Sequence, residues 1–239
     1  MSIAADKTPS ATGVYFCAVL MALLGALLGF GYMLAFPAKA FGSQAEYETS
    51  LADSSKKPSK AAKADLGPKP GDAYYIEGAV LSSRSWEAKR ASLSMEGAQS
   101  VEISTGEINA WMAAKFRPGQ SASENDEEAN LLIVPGVPNV GIVGDGQFYL
   151  NVPTTITAFG ASDDFTISVL CELNASQPKI RSVNVRSAKV PMPQLLGARL
   201  LAVLSQGYAA TEEYQIISEA FARADSVEVV GDQFVFKLR

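Results

Sequence analysis

An unbroken apolar run from Val14 to Phe36 dominates the pattern of hydrophobic and polar positions along the chain, and it contains no charged side chain. As a helix rising about 1.5 Å per residue, the run is long enough to cross the roughly 30 Å hydrocarbon core of a bilayer. It therefore predicts an uncleaved single-pass anchor. Two alternatives remain open. One is a signal peptide cleaved after Ala40, because Ala38-Lys39-Ala40 is an A-x-A pattern. The other is a buried core helix, which seldom lacks polar residues on every face.

The apolar run divides the chain into four predicted parts. These are a short N-terminal tail, a transmembrane helix, a flexible linker and one soluble domain, at residues 1–13, 14–36, 37–72 and 73–239. The linker is predicted because the stretch from Gly42 to Asp72 is rich in Ala, Ser, Lys, Pro and Gly and has no apolar periodicity. Such a segment buries too little surface to offset the entropy lost on ordering.

The short tail before the helix and the large domain after it are typical of a signal-anchor. We therefore expect a single pass through the inner (cytoplasmic) membrane, with the C-terminal domain extracytoplasmic. Gly25 and Gly29 form a G-x-x-x-G pair, a spacing that lets two membrane helices approach closely. The favoured interpretation is that both glycines reflect only the ordinary composition of membrane helices. The alternative is self-association, in which Gly25 and Gly29 pack against a second copy of this helix.

Two stretches in the middle of the chain alternate between apolar and more polar side chains, from Phe148 to Ala158 and from Phe165 to Leu173. A period of two over this length predicts antiparallel strands with one buried face. The apolar residues change from odd-numbered to even-numbered positions between Val185 and Ala188, which predicts a β-bulge near Arg186.

Helical spacings flank these strands. One helix is predicted from Ser82 to Met95, and the next begins at Ser104-Thr105-Gly106-Glu107, where a serine and a glutamate fit a capping box. Further helices are predicted over Leu195–Leu204 and from Thr211 onwards, and a hairpin closes the chain. These elements predict the fold class α+β, with a curved antiparallel sheet packed on helices.

Composition narrows the chemistry that this domain can perform. The 239 residues include 20 Lys and Arg against 25 Asp and Glu and show no basic stripe, so nucleic acid is not expected as a partner. The sequence contains no histidine, which excludes Ser-His-Asp and Cys-His catalysis and removes the commonest zinc ligand. Cys171 falls on the buried side of its strand and is interpreted as a small core residue.

We therefore predict a domain that is not an enzyme, has no catalytic residue and needs no cofactor or metal. The rival hypothesis is a carboxylate-based hydrolase that uses, for example, Glu102 and Glu107. It requires two carboxylates about 5–10 Å apart in a cleft, one of them with a pKa raised by burial.

Several features after the anchor occur in a recognisable order. An extended piece leads into a Glu-Ile-Asn helix (Val101 to Trp111), long antiparallel strands follow, Val-Pro-Met-Pro-Gln-Leu-Leu (Val190 to Leu196) opens a helix, and a hairpin ends the chain. This order resembles a group of bacterial membrane-tethered domains, the DUF2140/YpmS-like and YceB-like proteins, which are similar to one half of a tubular lipid-binding (TULIP) module. The resemblance covers Val101 to Arg239. It implies a curved sheet wrapped around a helix, an apolar groove between them and no catalytic residues.

Two non-enzymatic hypotheses follow. In the first, the domain binds an apolar ligand or membrane lipid in a groove between the strands and the helix after Pro193. The predicted lining is Phe148, Leu150, Ile156, Phe165, Ile167, Val169, Leu196, Leu200 and Val203. In the second, the same residues fill a solid core, and the domain is a scaffold that binds another envelope protein. The resemblance favours the first hypothesis.

Overall fold

The computed structural model of the protein has an α+β fold, as the sequence predicts. It describes residues 10–54, 72–97, 99–116, 131–144, 146–174 and 177–239. The helices are α1 (Ala11–Leu34), α2 (Gln44–Ser54), α3 (Trp86–Ser94), α4 (Thr105–Lys115), a π-helical turn (Pro193–Gly197), α5 (Ala198–Gln206) and α6 (Glu212–Arg223). The strands are β1 (Lys39–Phe41), β2 (Tyr74–Ile76), β3 (Gln99–Ser104), β4 (Leu131–Pro135), β5 (Asn139–Gly144), β6 (Gln147–Ala158), β7 (Ala161–Asn174), β8 (Gln177–Val185), β9 (Ala188–Lys189), β10 (Ala224–Val230) and β11 (Gln233–Leu238).

Helix α1 is formed by the apolar run, and none of its residues is buried by the rest of the described chain. Its first turn is capped by the Ser10 hydroxyl, which accepts a hydrogen bond from the Gly13 amide at 3.2 Å. Within the described residues it is the one helix long and apolar enough to cross a membrane. An exposed surface of this kind is stable in lipid and costly in water.

The largest sheet has six antiparallel strands. Its main order is β4-β6-β7-β8-β9, and β5 pairs with β6 beside β4. The strictly alternating stretches form β6 and β7, the two longest strands, which lie in the middle of this sheet. A second sheet has the order β10-β11-β3.

One face of the six-stranded sheet carries the main core. Phe148 on β6 meets Phe234 on β11 edge-to-face at 5.2 Å between ring centroids, which joins the two sheets. Helices α3, α4 and α6 pack on the second sheet and on one another, and α5 reaches β4. The predicted capping box is confirmed: the Ser104 hydroxyl accepts from the Glu107 amide, and the Glu107 carboxylate accepts from the Ser104 amide.

The opposite face of this sheet is also covered, although the alternation predicts one buried face. Strand β2, paired in parallel with β1, lies across β5 and β6. The approach is close enough that a Cβ atom at Gly78 would lie 2.0 Å from the Val140 carbonyl oxygen. Asn151 is buried there and donates to the Ile76 carbonyl at 2.7 Å. The positions expected to face solvent therefore form a second contact surface, where Tyr149 packs with Phe41 and Ile76 in a smaller apolar cluster beside the Asn151 hydrogen bond.

The prediction of a flexible linker over residues 37–72 is wrong for its first part. Residues Lys39–Phe41 form β1, and α2 follows it. The end of α1 is bonded directly to the domain: Arg186 donates to the Leu34 carbonyl at 3.1 Å, and the Ser187 amide donates to the Phe36 carbonyl at 3.0 Å. The composition of this stretch hides a short strand whose partner lies more than 30 residues later. The rest of the predicted linker, residues 55–71, lies outside the described residues.

The β-bulge predicted near Arg186 is a tight turn instead. Arg186 has a φ of 49°, and the chain reverses there from β8 into β9. Because of this reversal, the apolar residues fall at even-numbered positions from Ala188 onwards. A register shift does occur in the β7–β8 pair, but it lies earlier in β8, between Ile180 and Ser182, opposite Leu170 and Cys171.

Candidate functional site

A cavity of about 380 Å³ lies between the main face of the six-stranded sheet, the second sheet and the helices. Its sheet wall is formed by residues of β5 to β8 and of β3 and β11: Ile103, Val140, Phe148, Leu150, Val152, Cys171, Pro178, Ile180, Phe234 and Phe236. Its other wall is formed mainly by helical residues: Leu93, Ile108, Trp111, Met112, Phe116, Leu201, Leu204, Ser205, Tyr208, Tyr214, Ile217, Ala220 and Phe221, with Pro138 between β4 and β5. No charged residue occurs among these described lining residues.

The polar atoms of two large lining residues are bonded to the protein. The Trp111 indole N–H donates to the Glu213 carboxylate at 2.6 Å, and the Tyr208 hydroxyl donates to the Gly136 carbonyl at 2.6 Å. Burial raises the pKa of Tyr208, and burial raises the pKa of the Cys171 thiol to about 12. These side chains are therefore neutral at physiological pH, and the cavity suits an uncharged, apolar group.

Glu213, the acceptor of the Trp111 hydrogen bond, is a charged group beside the cavity wall. Both of its carboxylate oxygens have hydrogen-bond donors. Its two carboxylate oxygens accept from the Arg90 guanidinium at 2.8 and 3.0 Å. Arg90 also pairs with the exposed Glu212 at 2.8 Å. The hydrogen bond to Glu213 raises the pKa of Arg90, so the guanidinium stays charged. The pairing fixes α3, α4 and α6 relative to one another and orients the indole ring.

Partly exposed lining residues mark an opening to the surface. They belong to β8, α5 and α6 and include Ile180, Leu201, Ser205, Tyr214 and Ile217. Residues on the far side, such as Trp111 and Val152, are almost completely buried. The lining is therefore more exposed on the side of β8, α5 and α6 than beside Trp111 on α4.

The structure places some of the nine predicted lining residues in the cavity wall and the others elsewhere. Phe148 and Leu150 line the cavity as expected. Ile167 and Val169 do not, although both are buried in the core. Phe165 lies under the Arg186 guanidinium, 4.3 Å from the ring centroid.

The other four predicted residues also lie outside the cavity lining. Ile156 is paired opposite Ile133 and Asp163 in the outer part of the β6–β7 hairpin. Leu200 packs against the core beside the cavity, and Leu196 and Val203 are exposed. Leu201 and Leu204 face the cavity instead. Apolar residues occupy positions 200, 201, 203 and 204, so helical spacing alone does not decide which pair faces inward.

Sequence reasoning also missed the walls contributed by α4, α6 and β11. The apolar side of α4 was recognisable from Ile108, Trp111, Met112 and Phe116, and all four line the cavity. Nothing in the local pattern of α4 indicates that it faces the same space as Phe148. That juxtaposition depends on the pairing of β3 with β11 across the whole domain.

The two carboxylates of the rival hydrolase hypothesis lie outside this cavity. Glu102 is exposed on β3. Burial alone would raise the pKa of Glu107, but hydrogen bonds from Ser85 and Ser104 and the charge of Lys89 outweigh it, so the pKa lies below its ordinary value of 4.5. Glu107 is therefore an ionised capping group and a poor proton donor.

Gly25 and Gly29, the predicted helix-packing pair, stand on α1 with open space around them in the described chain. Self-association through them stays a prediction. Comparisons of the chain with protein-family models, with curated proteins and with solved structures find no match. The resemblance to membrane-tethered lipid-binding domains is thus an untested expectation, and function has to be inferred from the cavity and from the helix that precedes the domain.

Proposed function

We propose that this chain is a membrane-anchored protein that binds an apolar ligand, most simply one acyl chain of a lipid, without chemical change. The observation that carries the proposal is the 380 Å³ cavity with its neutral, almost entirely apolar wall. Cavities of this size are typical of sites for small apolar ligands, which occupy roughly 300–1,000 Å³. Each methylene group buried there contributes about 0.8 kcal/mol to binding.

The cavity favours a carrier over a scaffold with a filled core. Protein interiors are packed so closely that voids larger than a water molecule are few. A space of this volume, walled by Phe, Leu, Ile and Trp side chains, leaves those side chains without packing partners unless a ligand supplies them. A scaffold has no need for this arrangement, whereas a carrier requires it.

The arrangement around α1 favours an anchor that stays attached to the domain. Cleavage after Ala40 would divide strand β1 and would remove the Leu34 and Phe36 carbonyls that accept from Arg186 and Ser187. An intact α1 holds the domain directly beside the bilayer. Within this proposal the domain lies on the extracytoplasmic side of the inner membrane.

Native mass spectrometry of the full-length protein, released from detergent, tests the proposal. Ala220 is completely buried on α6 and lines the cavity, so Ala220→Leu adds a larger side chain into that space. Ala222 is exposed two residues later on the same helix, and Ala222→Leu is the matched control.

We expect the wild-type protein and Ala222→Leu to retain a lipid-sized mass or to acquire one on incubation with phospholipid. Ala220→Leu should lose most of this adduct. Equal adducts on all three proteins would mean that the lipid is bound elsewhere. No adduct on any of them, with the fold intact by circular dichroism, would leave the scaffold hypothesis in place.

A further inference from the structure

The helical segment after β9 carries an exposed apolar stripe that the cavity does not explain. Met192, Leu195, Leu196 and Val203 are 60%, 53%, 36% and 47% exposed. Leu195 follows Met192 by three residues and Val203 follows Leu196 by seven, so the four residues lie along the outer side of the π-helical turn and α5. The opposite side of the same segment is apolar too, because Gly197 and Leu204 are buried.

An ordinary surface helix is apolar on its inner side and polar on its outer side. The outer side of this segment has four large apolar residues and one exposed cation, Arg199. This combination is typical of a helix that lies in the interface of a bilayer, with apolar side chains among the acyl chains and basic groups near the phosphates. In water the same stripe would be unfavourably exposed.

The stripe begins close to the point where α1 leaves the domain. A Cβ atom at Gly197 would lie 2.6 Å from the Val183 side chain, which places the π-helical turn against β8. Val183 is three residues before Arg186, or about 10 Å along an extended strand. Arg186 in turn bonds the last turn of α1 through the Leu34 carbonyl. The membrane-crossing helix and the stripe thus meet the same edge of the six-stranded sheet.

We propose that the outer side of the π-helical turn and α5 lies in the headgroup region of the bilayer that α1 crosses. The stripe then contacts lipid while Leu201, Leu204 and Ser205, on the inner side of the same helix, line the cavity. Helix α5 separates the bilayer from the cavity and forms one side of its opening. One further step rests on the proposed function: an acyl chain passes between the bilayer and the cavity along α5 without crossing bulk water.

Site-directed spin labelling tests this contact on the full-length protein in vesicles of phosphatidylcholine with a minor share of phosphatidylglycerol. Cys17→Ser removes the exposed thiol, and the buried Cys171 stays in place. Single nitroxides are introduced through Leu195→Cys and Val203→Cys. The matched control is Val230→Cys, an equally apolar and 58% exposed position in the β10–β11 hairpin.

Collision of each nitroxide with oxygen, which concentrates in lipid, is compared with collision with a water-soluble nickel chelate. We expect an oxygen-to-nickel ratio several-fold higher at positions 195 and 203 than at position 230. Equal ratios at the three positions would overturn the proposal. Low collision rates with both reagents at 195 and 203 would also overturn it, because they indicate a protein partner or a second copy on the stripe.

A second measurement separates this proposal from the proposed function. The double variant Leu195→Glu and Val203→Glu should slow the uptake of a lipid from vesicles several-fold, while the lipid adduct formed in detergent stays at the wild-type level. Spin labels in lipid without any adduct would support the membrane contact and refute the carrier. An adduct with spin labels in water would support the carrier and refute the membrane contact.

Discussion

At the scale of single residues, Glu213 joins three helices through one buried carboxylate. Its partners, Arg90 and Trp111, are separated from it by more than 100 residues. Both bonds are charge-assisted, and such bonds are shorter and stronger than those between neutral groups. Removing the carboxylate leaves a guanidinium and an indole N–H in a partly dehydrated site without their main partner.

We predict that Glu213→Ala lowers the free energy of unfolding by about 3–5 kcal/mol, because one partner of a buried ion pair is lost. Glu212→Ala is the control, since Glu212 contacts the same Arg90 at 2.8 Å from an exposed position. Its loss should cost about 0–1 kcal/mol. Urea unfolding of the full-length chain in detergent, followed by the fluorescence of the buried Trp86 and Trp111, measures both. Equal costs for the two variants would contradict the assignment.

A second residue-scale prediction concerns acid. The pKa of Glu107 is lowered in the folded chain, so its carboxylate stabilises the fold above the unfolded pKa, and this contribution is lost as the pH falls through the folded value. Glu107→Gln keeps a capping side chain but does not titrate. Between about pH 6 and about pH 3 the wild type should therefore lose more unfolding free energy than Glu107→Gln. Parallel urea midpoints across this range would refute the prediction.

At the scale of elements, the junction between α1 and β9 determines how the domain is held. Arg186 supplies a cation and hydrogen-bond donors to the last turn of α1, where free carbonyls and the negative end of the helix dipole favour a positive charge. It also bonds Asp163 on β7 at 2.7 Å. The helix end is thus fastened to two strands of the large sheet.

We predict that Arg186→Ala loosens this junction without unfolding the domain. Amide hydrogen exchange over residues 35–41 should become at least several-fold faster, while exchange in β6 and β7 stays near the wild-type rate. Arg181→Ala, which removes the β8 arginine from its ion pair with Glu172 on β7, should leave exchange over residues 35–41 unchanged. Unchanged exchange over residues 35–41 in Arg186→Ala would contradict this prediction, because it would mean that the other contacts are sufficient to hold α1.

The elements also show how far the sequence alone can predict this fold. The capping box at Ser104 and the alternation of β6 and β7 depend on neighbours within a few residues, and both are confirmed. Strand β1 was missed because a strand of three residues has too little pattern to detect. The inward face of α5 was missed because apolar residues occupy positions 200 and 203 as well as 201 and 204, so their spacing does not decide which pair faces the sheet.

At the scale of the whole molecule, the cavity depends on elements from most of the domain. Two of the nine predicted lining residues, Phe148 and Leu150, are in its wall, since a strand's alternation identifies its core face. Which parts of that face stay unfilled depends on how α4, α5, α6 and β11 meet it. That meeting is determined by contacts between residues far apart in the sequence, such as the pairing of Phe236 with Val101.

The measurement that tests the central claim most directly is the location of an acyl chain bound to the full-length protein in its bilayer. A phospholipid with a diazirine at the end of one acyl chain is irradiated in vesicles that contain the protein, and peptide mass spectrometry then locates the adducts. We predict adducts on β6 between Phe148 and Val152 and on α5 between Leu201 and Ser205, in addition to those on α1. Ala220→Leu should remove the cavity adducts, and Ala222→Leu should keep them. Adducts confined to α1 in all three proteins would contradict the claim that the cavity holds an acyl chain.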